Sequence, residues 1–65
     1  MEYDIKLTSV KILKSLYEQW KFKTVNSSMN LQKLVNRSIH RYLHDVVIRE
    51  QIESYDKLFM SGSKF

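Results

Sequence analysis

The 65-residue chain contains no cysteine, no proline and a single glycine, Gly62. Without cysteine there is no disulfide framework and no thiolate metal site, which fits a reducing compartment. Long apolar runs are missing too. The longest uninterrupted aliphatic run is Val46-Val47-Ile48, far short of the roughly 20 residues that span a bilayer, and the N-terminal MEYDIK lacks the basic-then-apolar layout of a signal peptide. The expectation is a soluble protein of the cell interior, with no membrane association. Catalytic signatures are equally absent: no Gly-rich phosphate loop, no HExxH, and serines that cluster at helix caps and not beside a histidine in a recognisable motif. No enzyme, catalytic residue or cofactor is expected.

What is present is enough apolar material to fold. Hydrophobic residues make up 43% of the chain and include eight aromatics, too many for a disordered segment. A chain this short buries a small share of its unfolded surface and commonly needs a staple. With disulfides excluded, oligomerisation is the expected one. The charge is positive and unevenly spread: residues 1–44 hold eight bases against three acids, and residues 45–65 hold three bases against four acids. A basic N-terminal two-thirds suits a phosphate backbone, although a solubilising surface has the same composition.

Along the chain, Tyr3, Ile5 and Leu7 alternate with Asp4, Lys6 and Thr8 in YDIKLTSV, the period of two that marks a half-buried strand. Thr8 or Ser9 is placed to cap a helix over about residues 9–22, with Val10, Leu13, Leu16, Tyr17 and Trp20 on one stripe. KTVNSSMN then supplies turn chemistry, and Ser28 or Asn30 a second cap. From Leu31 the spacing of Leu34, Val35, Ile39, Tyr42, Leu43 and Val46 or Val47 predicts a helix over about 30–48. Ile52, Tyr55, Leu58 and Phe59 continue a helical stripe, as an extension or as a third helix after a bend near Arg49. Residues 61–65 read as a frayed terminus.

One strand has no partner within its own chain, and its copy in a second chain is the natural one. With that pairing the chain resembles the ribbon-helix-helix family, the Arc and MetJ type of prokaryotic and phage DNA-binding dimer. The likeness is strongest in NLQKLVNRSIHRYL and in IKL ahead of a short helix, and covers about residues 3–46. It implies a mainly α fold with one short N-terminal β-strand, in an intertwined homodimer built on an intermolecular two-stranded antiparallel ribbon. Residues 1–48 would form the DNA-binding domain and 49–65 a helical extension and tail. The chain departs from the family in a longer, glycine-free turn and in one extra residue after Leu7.

By that resemblance the ribbon enters the major groove of double-stranded DNA and Asp4, Lys6 and Thr8 face the bases, as Lys6 can donate to guanine and Thr8 can bond either way. Asp4 fits least, since its charge opposes phosphate. Ser27, Ser28 and Asn30, at the start of the second helix, would meet a phosphate or simply cap that helix. The implied role is a transcriptional regulator, commonly a repressor, at the nucleoid of a prokaryotic or phage-infected cell, with two dimers on adjacent half-sites. The alternative is a small protein-binding adaptor or inhibitor, or an antitoxin whose residues 49–65 hold a protein partner. Tyr17, Trp20 and Tyr42 fall on the apolar stripes and read as core, not as a base-stacking platform. His40 and His44 are spaced to share a metal, but Arg37 and Arg41 flank them and no third ligand is evident, so solvent exposure is the expectation.

Overall fold

Thr8, Val10 and Ile12 place three β-branched side chains in five positions, a stretch that loses side-chain freedom in a helix. The chain stays non-helical through it. A computed structural model describes residues 4–58, in which three helices follow in order: α1, Lys14–Lys23; α2, Leu31–His44; and α3, Val46–Glu53. None of them is long and apolar enough to cross a membrane.

The expected N-terminal strand is not formed. Residues 4–13 belong to neither helix nor strand, and Ile5 and Leu7 are 85% and 94% exposed. No strand exists among the described residues, so there is no ribbon, and the fold is helical and not ribbon-helix-helix. The mainly α part of the expectation holds. Alternating side chains make a strand only where a second strand takes up the backbone N–H and C=O groups, and three helices offer no such edge.

The first helix also starts later than the sequence suggested. Neither Thr8 nor Ser9 caps it; Leu13 occupies the cap position in an extended conformation and contributes no side-chain bond. Val10 and Leu13 therefore lie outside α1, whose predicted stripe reduces to Leu16, Tyr17 and Trp20. At the other end Thr24 closes the helix, its hydroxyl donating to the Trp20 carbonyl at 2.9 Å. Lys21 and Lys23 sit in the last turn, where cations meet the negative end of the dipole.

The second helix stops at His44, earlier than expected, and a third begins two residues later. Asp45 is the break. Its backbone is extended, and its carboxylate accepts from the amides of Val47 at 3.0 Å and Ile48 at 3.2 Å. Apolar phase explains why the break falls there. Were the helix straight at 100° per residue, Arg49 and Glu53 would lie within the stripe of Leu34, Val35, Ile39 and Tyr42, and Ile48 and Tyr55 would lie roughly 120–140° away from its middle. Restarting the helix removes that conflict.

Several polar contacts then fasten the elbow. Arg49 donates from Nε to the Tyr42 carbonyl and from Nη2 to the Leu43 carbonyl, both at 3.0 Å. Its guanidinium lies 5.6 Å from the centre of the Tyr42 ring, while the Tyr42 hydroxyl donates to Glu53. These bonds satisfy carbonyls that the end of α2 leaves open.

No described side chain is buried. Among the described residues no two that are twelve or more positions apart bring their Cα atoms within 8 Å. The chain exposes 6763 Å², against about 4,400 Å² for a compact monomer of its mass. Its radius of gyration is 14.0 Å, where a compact domain of this length has about 11 Å. The helices are set out with their apolar stripes uncovered.

The Asp45 carboxyl is held below its ordinary value of 3.8, first by the Ile48 amide and then by the Arg41 side chain. A lowered carboxylate lends its full stability above the ordinary value and loses it as pH falls through the lowered one. Circular dichroism against pH should therefore show an acid loss of helix that shrinks in Asp45→Asn, which keeps a capping oxygen but does not titrate. Identical acid profiles would refute the role of the charge.

Candidate nucleic-acid interface

The start of α2 is assembled from short-range polar contacts. Asn30 adopts an extended conformation and its Oδ1 accepts from the Lys33 amide at 2.8 Å, the N-cap bond in its usual form. Ser27 Oγ accepts from the Met29 amide at 3.0 Å, and Lys33 Nζ donates to the Ser28 carbonyl at 2.8 Å. Ser27, Ser28 and Asn30 thus converge on one exposed helix end, with a lysine ammonium among them. Asn30 is engaged as a cap, so what this end offers an outside acceptor is backbone amides and the positive end of the dipole.

Further along α2 the residues sort by side. Leu34, Val35, Ile39 and Leu43 run down one face and are between 37% and 59% exposed. Lys33, Arg37 and Arg41 recur every fourth residue on the opposite face, with His40 and His44 beside them. That segregation follows from the helical period alone. Arg41 is paired with Asp45 at 3.2 Å.

Asp4, Lys6 and Thr8 lie on the exposed N-terminal arm. They are not aligned on one face of a sheet, because no sheet is formed there. The aromatic pair on α1 keeps close company: Tyr17 and Trp20 have ring centres 6.0 Å apart, and Lys21 lies 5.8 Å from the Tyr17 ring. Between α1 and α2 these rings, with Val25, Met29 and Leu31, line an open hollow of about 390 Å³. Trp20 is half-buried and Tyr17 remains exposed, so the core role read from the sequence is only begun within one chain.

The residues that sequence reasoning missed are Asp45 and Arg49 as the elbow's cap and clamp. An aspartate directly before Val46-Val47-Ile48 was the available signal, since a capping residue ahead of an apolar run marks a helix start. Phe59 and the tail through Phe65 lie outside the described residues. Comparison with known proteins returns no matching family model, no curated protein and no solved structure.

Replacing Asn30 by alanine removes the α2 cap and should cost about 1 kcal/mol of helix stability, measured as a lower midpoint in thermal unfolding. An unchanged midpoint would show that Ser27 or Ser28 caps in its place.

Proposed function

We propose that this chain is a double-stranded DNA-binding protein that acts as a homodimer and regulates transcription by occupying its site. The observation that carries this reading is the two-sided α2, with an exposed apolar face and a row of bases opposite it. Eight bases against three acids in residues 1–44 extend the same charge over α1 and the N-terminal arm. The apolar faces meet a second copy, and the bases meet phosphates.

The area is sufficient for a second copy. The surface in excess of a compact monomer is about 2,300 Å² per chain, or about 4,600 Å² for two chains, in the range of obligate dimer interfaces. In a dimer Lys33, Arg37 and the exposed end of α2 by Ser27, Ser28 and Asn30 serve as the phosphate anchor. The N-terminal arm carries Lys6 and Thr8 toward base edges, with Asp4 the weakest contributor, in the way that extended basic arms reach into a groove. Each phosphate neutralised releases a counterion, so affinity falls steeply with salt.

One observation favours a second reading. On α3 Val46, Val47 and Ile52, with Tyr55 just beyond, are at least half exposed, beside Glu50, Glu53 and Asp56. An apolar stripe edged with acids suits a protein partner, as an adaptor, inhibitor or antitoxin would use.

The deciding experiment titrates the protein into a random duplex pool at two salt concentrations and sequences the bound fraction. Enrichment of a short symmetric or repeated site, with weaker binding at higher salt, supports the DNA reading. Retention without enrichment moves the role to a protein partner. Arg37→Glu with Lys6→Glu should weaken DNA binding by about tenfold or more and flatten its salt dependence by roughly one ion per lost contact, with the dimer intact. Ile39→Asp should instead leave a monomer in sedimentation, because it sets a charge in the apolar stripe; a dimer that survives Ile39→Asp would exclude α2 as the interface.

A further inference from the structure

We propose that His40 and His44 form a two-nitrogen chelating site for a first-row transition ion of the Cu(II) or Ni(II) type. The two residues stand one turn apart on the polar side of α2, and both are exposed. Their ring centres are 4.4 Å apart and the rings are tilted by 40°.

The separation lets both rings reach one ion. An imidazole nitrogen binds such a metal at about 2.0–2.1 Å, which puts the ring centre about 3.2 Å from it, so two rings on neighbouring coordination positions have centres about 4.5–5.2 Å apart. The observed 4.4 Å stands at the close end of that range. Imidazole donors favour Cu(II) and Ni(II) on the general affinity order of divalent first-row ions.

Charge is less of an obstacle than the sequence alone implied. Of the two arginines that flank the pair, Arg41 places Nη2 3.2 Å from the Asp45 carboxylate, which compensates its charge next to His44. Among the described residues no cluster of three or more histidine, cysteine, aspartate or glutamate side chains could hold a metal. The ion would therefore take two protein nitrogens and keep water in its other positions, an open and exchangeable site. Because one ion bridges positions four apart, binding would clip the last turn of α2 and stabilise it by mass action.

The test titrates Cu(II), Ni(II) and Zn(II) salts into the full chain and into His40→Ala and His44→Ala, following heat and helix content. Both histidines are exposed, so the variants keep their helices. The proposal predicts that either substitution weakens Ni(II) binding by about tenfold or more, that helix content rises on Ni(II) addition in the unsubstituted chain alone, and that Ni(II) binds more tightly than Zn(II). Equal affinity in the unsubstituted chain and a single-histidine variant would overturn the site. Tighter binding of Zn(II) than Ni(II) would overturn the choice of ion. Neither readout involves DNA, so the result stands apart from the regulatory role.

Discussion

Backbone hydrogen bonding within single helices, closed at the ends by side chains, is the interaction on which this structure depends. With no described side chain buried, burial contributes little within one chain. Thr24 on the end of α1, Asn30 on the start of α2, and Asp45 with Arg49 at the elbow do the work that a core does in larger domains. Each satisfies groups a helix end leaves open. The apolar stripes are then displayed on the helices instead of being consumed inside the chain.

Much of the helical layout was legible because it rests on local periodicity. The stripe from Leu31 to Leu43 is found where the spacing placed it, and of the two caps the sequence offered, Ser28 and Asn30, the helix uses Asn30. The elbow was half legible: the spacing left open an extension of α2 or a third helix after a bend near Arg49, and the structure has the third helix, with the break at Asp45. The strand failed for a different reason. Alternation in Ile5 and Leu7 describes what a backbone could do with a partner, and no property of a short segment supplies that partner.

The candidate site shows the same division. Ser27, Ser28 and Asn30 are neighbours in sequence and come together in space. Asp4, Lys6 and Thr8 were placed by analogy with a ribbon, and the exposed arm gives them no shared face. The row of Lys33, Arg37 and Arg41 was present in the sequence as a basic surplus, but its value lies in standing opposite the apolar face, which becomes plain only once the helix bounds are known.

Among the described residues, the absence of contacts between distant positions has a kinetic side. Forming α1, α2 or α3 requires no long loop to close, so each helix can form and melt on the microsecond scale typical of short helices. Helices of 10, 14 and 8 residues are marginal alone in water. Whatever covers their stripes therefore meets elements already sampling the right shape, and the lasting order of the chain is gained at encounter. Its lifetime as a folded object is then set by how long that encounter lasts.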